Sequence, residues 1–390
     1  MDFAEQRRAM VELLRERQEI SDRVAAALLA VPRHLFVPDV APEDAYRDEP
    51  IVTKRDDAGR PISSSSQPAI MAAMLDQLGV EPGQRVLEIG AGTGYNAALL
   101  AHLVGPEGRV VTVDIDEDIV AQAGRNLGAA GLSQIETVCA DGAQGHPALA
   151  PYDRVIATVG VWDLAPAWRE QLGAGGRLVA PLDLRGVQAS VAFERSGDHW
   201  AGLSVVPCGF MRMRGPFAGP EAVVVLRRDP DLMLALPERR EVGDVLAALD
   251  AVPVDVAVEG VEPARAHNVA LWLALHEPRL CALSGKLGGG YGMSIGLVDG
   301  DGIALLAAEG SQVARGQGPT GPGLSAQGYG PGGAELAAEL AGHLRAWDEA
   351  GRPHMGDLRV VAYPDPARAV GGGMLIRKQH TTLVLSFNAI

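Results

Sequence analysis

The chain has 390 residues, 47% of them hydrophobic, enough for a large buried core and for two domains. Against 34 Lys and Arg stand 49 Asp and Glu, and the net charge of −15 argues against nonspecific nucleic-acid binding. No apolar run reaches the roughly 18 residues of a membrane span, the N-terminus lacks a leader-type apolar stretch, and three scattered cysteines form no metal or redox pair, so cytoplasmic residence with no metal and no membrane partner is expected.

Residues 1–30 repeat apolar positions at helical spacing, and Ser21 and Asp22 offer a cap for a second helix over about 22–30. VPRHLFVP, residues 31–38, reads as an extended segment bounded by prolines, and 39–60 as a polar loop. PISSSSQP, 61–68, leads into a helix over 68–79. The decapeptide VLEIGAGTGY, 86–95, then gives an apolar strand, three glycines at alternate positions and a helix start. A strand, a glycine turn and a helix N-terminus bring backbone N–H groups and a positive dipole end up to a ligand.

The segments that follow keep alternating. RVVTV, 109–113, is a second strand ending in Asp114, with a helix over 117–127 beyond it. A third strand, 135–140, ends in Asp141-Gly142, and a fourth spans 153–158. A helix over 164–172 and the turn Gly175-Gly176 lead to a fifth strand near 177–181. This alternation predicts a doubly wound parallel sheet. Strands at 188–195 and 199–206 complete a first domain, 1–216. The remainder, 217–390, reads as a second, α+β domain. Its strand patterns lie at 222–227, 252–258, 293–299, 302–308, 358–363 and 381–387, and its helices at 241–250, 266–276 and 333–349. The Gly/Pro/Ser/Gln stretch 309–333 reads as a surface loop or as a lid over a peptide.

Several of these residues carry candidate chemistry. Gly90, Gly92 and Gly94 follow G-x-G-x-G, one residue tighter than the dinucleotide fingerprint, and Glu88 precedes them. This resembles S-adenosylmethionine methyltransferases more than dehydrogenases. Asp114, about 20 residues on and at a strand end, is placed to accept ribose hydroxyls, with Ile115 beside it. Asp141 and Gly142 are placed for the adenine amine. Glu88 reads as a contact for the methionine amino group or its water. Each acid also has an ordinary reading, as a helix cap or a strand-end charge.

VPRHLFVP (31–38), SQPAIMAAML (66–75), VLEIGAGTGYNAALLA (86–101), Val113-Asp114, Ala140-Asp141-Gly142, YDRVIAT (152–158) and LGAGGRLVAPL (172–182) together resemble the protein-L-isoaspartate O-methyltransferases over about residues 5–215. The resemblance implies a Rossmann-like S-adenosylmethionine-dependent carboxyl O-methyltransferase. Its acceptor is an aspartyl or isoaspartyl carboxylate of a peptide or protein, and the ester then cyclises to a succinimide. It places Ser65 and Ser66 at the reaction. Ser64, Arg33, His34 and Trp162 are candidates for the acceptor, although His34 and Trp162 read equally as packing. The four-serine run Ser63–Ser66 and the second domain depart from the repair enzymes. The second domain looks similar to extended versions that tailor ribosomally made peptides, so peptide maturation is the leading expectation. General repair is the alternative, and a non-catalytic cofactor-binding module a third. Residues 217–390 are expected to recognise the peptide.

Overall fold

In a computed structural model the chain is described over residues 2–387, other than 58, 230, 259–265, 288–289, 309–322 and 370–371. It forms two compact units. The first holds Met1–Asp183, Gln188–Gly219 and Arg359–Ser386, and the second holds Leu184–Val187, Pro220–Leu358 and Phe387–Ile390.

In the first unit β1 (Ile51–Arg55) and β2 (Pro61–Ser65) form a hairpin. Then come β3 (Arg85–Ile89), β4 (Arg109–Asp114), β5 (Glu136–Cys139), β6 (Tyr152–Ala157), β7 (Leu172–Asp183), β8 (Gln188–Ser196) and β9 (His199–Cys208). Strands β3 to β7 pair in parallel, in the order β7-β6-β3-β4-β5, and β8 and β9 continue the sheet antiparallel beyond β7. Val86, Leu87 and Ile89 on β3, like Val111 and Val113 on β4, are at most 2% exposed. Such unbroken apolar runs suit a sheet covered on both faces. The helices Pro68–Leu78 and Tyr95–Val104 bury apolar residues in the same core. Because β3 lies between β4 and β6, the order in which successive strands are added reverses beside it, and ligands of open α/β sheets bind at the carboxyl ends of strands at such a point.

The second unit is an antiparallel sheet, seven-stranded among the described residues. Its members are β10 (Ala222–Arg228), β11 (Asp231–Leu236), β12 (Val254–Val258), β13 (Leu280–Leu287), β14 (Gly290–Asp299), β15 (Gly302–Ala308) and β16 (Leu324–Tyr329), in the order β10-β11-β13-β14-β15-β16-β12. Two separate cores line it. One includes Val269 and Leu273 of the helix Ala266–His276 and Leu340 and Leu344 of the helix Gly333–Glu349, and the other includes Val245 and Leu249 of the helix Val245–Leu249.

The structure corrects the sequence reading in four places. Residues 359–386, assigned above to the second domain, belong to the first unit. There β17 (Leu358–Tyr363), β18 (Met374–Arg377) and β19 (Thr382–Phe387) extend the first unit's sheet beyond β9. Sheet partnership is non-local, so strand patterns alone do not show which sheet a strand joins. Segment 31–38 is not extended, because Arg33–Phe36 make a 3-10 turn. The loop expected over 39–60 contains the short helix Pro42–Ala45 and β1, with β2 following it. Of the stretch 309–333, residues 309–322 lie outside the described residues, and Leu324–Tyr329 is a buried strand.

Candidate active site

The strand β3 ends at Ile89, and the next three glycines curl over its carboxyl end. Gly90 has φ +105°, and a Cβ there would lie 2.8 Å from Thr158 Oγ1 and Val159 Cγ1. Only glycine fits so close an approach of two loops. Gly92, at φ +49°, faces the Ser64 carbonyl oxygen, which a Cβ would meet at 3.3 Å. Gly94 caps the helix that begins at Tyr95.

A cavity of about 280 Å³ opens at this turn. Ser64, Ser65 and Ser66 line one side, Glu88, Tyr95 and Asn96 another, and Thr158, Val159 and residues 207–211 close it. A smaller cavity of about 50 Å³ adjoins it, with Ile62, Gly90, Asp114, Val159 and Met211 common to both. That cavity is lined by Ile115, Asp141, Gly142, Met213 and Arg214 as well.

Three residues that line the larger cavity each carry a buried polar atom without a hydrogen-bond partner: Ser65 Oγ, Glu88 Oε2 and Tyr95 Oη. A buried polar group without a partner costs on the order of 1–3 kcal/mol. Three of them around one cavity mark a place that a polar ligand completes. Glu88 is fully buried, and Asn96 Nδ2 donates to its other oxygen at 2.7 Å. Burial pushes the Glu88 carboxyl up to about 7, and the neighbouring Thr112 hydroxyl and the Asn96 amide oppose this.

Asp114 sits where the two cavities meet. Its oxygens accept the N–H of Gly92 at 3.2 Å and of Asp116 at 3.3 Å. Burial raises its pKa, and these two bonds and the nearby Arg214 charge pull it back. Asp141 Oδ1 accepts from Ala143 N at 3.0 Å and so caps the turn Gly142–Gln144. Gly142 packs so tightly that a Cβ would lie 2.5 Å from Ile89 Cγ2.

The structure therefore gathers Ser64, Ser65, Ser66, Glu88, Gly90, Gly92, Asp114, Ile115, Asp141 and Gly142 around two joined cavities. It does not bring Arg33, His34 or Trp162 to them. Arg33 is fully buried, and its guanidinium donates to the carbonyls of Ala45, Arg47, Glu49, Ser65 and Ser66 at 2.9–3.4 Å. Those bonds commit it to holding the serine turn, so it has no reach to an acceptor. His34 stacks on Phe3, and its Nδ1 is 2.8 Å from Tyr46 Oη. Trp162 packs at Gly219 and under Lys378.

The sequence reading missed Tyr95, Asn96, Thr158 and the segment 207–214. That last segment did carry a signal. Met211-Arg212-Met213-Arg214 alternates apolar and charged residues at strand period. Gly160 N donates to Met211 O and Met213 N to Gly160 O, both at 2.8 Å. Arg214 forms a two-pronged pair with Asp116 at 3.1 and 2.7 Å.

The described residues contain no group of three or more His, Cys, Asp or Glu set to hold a metal ion, and no helix among them is long and apolar enough to cross a membrane. The expected S-adenosylmethionine fits what is present. Glu88 is a buried and Asp114 a half-buried acceptor, Gly90 and Gly142 leave no side chain in the way, and the small cavity has an apolar wall for a planar base.

Comparison with known proteins agrees. The family model of protein-L-isoaspartate(D-aspartate) O-methyltransferase matches residues 5–213. A protein-L-isoaspartate O-methyltransferase of Thermotoga maritima is 36% identical over 225 residues, 57% of this chain and 69% of that protein. One of Methanoculleus marisnigri is 44% identical over 217 residues, 54% of this chain and 93% of its own. A solved structure named protein-L-isoaspartate O-methyltransferase shares the fold with a TM-score of 0.54, at 24% identity, over 98% of this chain and 100% of that one. The second unit therefore does have a fold counterpart in an enzyme of that name, contrary to the expectation from sequence.

Proposed function

This chain belongs to the protein-L-isoaspartate(D-aspartate) O-methyltransferase family, and from that premise we propose that it methylates the carboxylate of L-isoaspartyl residues in proteins or peptides. It is an S-adenosylmethionine-dependent protein carboxyl O-methyltransferase. The observation that carries the finer reading is the set of three partnerless buried groups, Ser65 Oγ, Glu88 Oε2 and Tyr95 Oη, around one cavity beside the glycine turn.

Glu88 would hold the methionine ammonium, Asp114 the ribose hydroxyls, and Ile115, Asp141 and Gly142 the adenine. When bound, S-adenosylmethionine supplies a methyl group on a good sulfonium leaving group. The acceptor carboxylate is ionised at pH 7, so the chain needs no general base. Its residues have to align the carboxylate oxygen and keep water out. Ser65, held through its carbonyl by Arg33, donates its hydroxyl to that carboxylate, and the Ser66 hydroxyl and nearby backbone N–H groups assist. The ester then cyclises off the enzyme. The next amide nitrogen attacks the ester carbonyl, methanol leaves, and a succinimide remains.

The test is mass spectrometry of matched L-isoaspartyl and aspartyl peptides. The isoaspartyl peptide should gain one methylene and then show a net loss of one water. The aspartyl peptide should be inert. A second reading, maturation of one ribosomally made peptide, is favoured by the four-serine run Ser63–Ser66. Methylation of a single aspartyl sequence, with generic isoaspartyl peptides inert, would put that reading first.

A further inference from the structure

The strands β18 and β19 are joined by a tight turn in which Lys378 N donates to Thr381 O at 2.8 Å. This turn plugs into the first unit, under the loops that follow β6 and β7. His380 N and Thr381 Oγ1 both donate to Asp163 at 2.5 Å, and Asp163 is fully buried. The His380 ring stacks on Phe217 with centroids 5.1 Å apart. The Lys378 side chain is only 2% exposed. Its Nζ donates to Asp183 O at 2.7 Å, lies 3.3 Å from Asp183 Oδ1, and sits 5.5 Å from the centre of the Trp162 ring. The other Asp183 oxygen takes Arg212 Nη2 at 3.0 Å.

Arg212 lines the smaller cavity together with Met211, Met213 and Arg214, and Gly160, bonded to Met211 and Met213, follows directly on Thr158 and Val159. Buried charges come at a high desolvation cost and persist where they fix one geometry. We propose that Lys378 is a positioning residue for the cofactor cavity: through Asp183 and Arg212 it fixes the Met211–Arg214 wall against the strand ends. This rests on the methyltransferase reading above, because it assigns that cavity to the nucleoside half of the cofactor. Lys378 itself touches no ligand. It acts through a carboxylate, from a segment that lies beyond the family match.

The probe is S-adenosylhomocysteine, whose binding can be measured by calorimetry on the full chain without any acceptor. Lys378→Met removes the charge and keeps the length. It should raise the dissociation constant about tenfold at temperatures where the protein is still folded. Lys378→Arg should restore most of the affinity. Thermal unfolding followed in parallel separates a loosened wall from a lost fold. If Lys378→Met does not fold, Arg212→Met tests the same wall from a more exposed side chain and should weaken binding similarly. A folded Lys378→Met, or Arg212→Met, that binds S-adenosylhomocysteine within twofold of wild type overturns the proposal. A wild-type chain that fails to bind S-adenosylhomocysteine overturns the methyltransferase reading first, and the proposal with it.

Discussion

Each unit buries a glutamate, and the two are treated in opposite ways. Glu88 has one oxygen bonded to Asn96 and Oε2 without a hydrogen bond, and burial lifts its carboxyl to about 7 against the opposing pull of Thr112 and Asn96. Glu277 in the second unit is also buried, though less deeply, and burial pushes it up too. Arg279 outweighs that with two side-chain bonds at 2.9 and 2.8 Å and its own N–H at 2.9 Å, and His343 Nε2 lies 3.2 Å away. The result is a carboxyl held at about 2. The second unit satisfies its buried charge internally, which rigidifies a scaffold. The first leaves an acceptor open at a sheet end, and a protein keeps such a defect where a ligand completes it.

The largest way to break this contrast is Glu88→Gln. Between pH 4.5 and 7 the folded chain holds the Glu88 proton while the unfolded chain has lost it, so stability falls as pH rises through that window. Removing the carboxyl should stabilise the ligand-free protein at pH 8 by about 3 kcal/mol and weaken S-adenosylhomocysteine. In the wild type, binding should favour the ionised form, so the dissociation constant should rise about tenfold from pH 8 to pH 6. Chemical denaturation and calorimetry at several pH values check both. A variant no more stable than wild type at pH 8 would mean that Glu88 is satisfied without a ligand.

Glu277→Gln is the mirror experiment. The depressed carboxyl contributes stability that is complete above pH 4.5 and lost as pH falls toward 2. The variant should lose about 2 kcal/mol at pH 7, because it leaves the Arg279 charge less well paired. Its S-adenosylhomocysteine affinity should not change. A large affinity loss would show that the second unit's network is not purely structural.

Asp114→Ala sharpens the first half of the contrast. Losing a charged acceptor for two ribose hydroxyls should weaken S-adenosylhomocysteine at least about tenfold, while methionine-only analogues lose little. Equal losses for both would assign Asp114 to holding the Gly92 and Asp116 amides instead. The smallest effect is expected at Ser65→Ala, where turnover should fall roughly threefold to tenfold with cofactor affinity intact. Unchanged turnover would pass the orienting role to Ser66 or to backbone N–H groups.

What could be read from sequence follows from the range of the forces. The strand, glycine turn and helix at 86–104 are written in neighbouring residues, as are Asp114 and Asp141 at their strand ends, and each lies where the spacing placed it. The helices over 266–276 and 333–349 were equally legible from their period. Arg33 was misread because an arginine near a carboxylate-binding motif suggests ion pairing, whereas five backbone carbonyls from separate turns claim it here. Lys378 was invisible for a similar reason. Its partner Asp183 is 195 positions away, and nothing in the intervening chain announces the pairing.

The return of residues 359–386 to the first unit sets an order of events on the ribosome. Strand β9 is complete at Cys208, but its outer neighbour β17 begins only at Leu358, and the two pair at Val361 and Ala201. At roughly 5–20 residues per second, synthesis of the intervening chain takes on the order of ten seconds. Throughout that time the sheet carries an open edge at β9, the kind of edge that recruits stray strands. A nascent chain paused in the second unit would have its glycine turn and Asp114 already translated but no Lys378 behind the cavity wall, so competence to bind cofactor should come last, with the final strands.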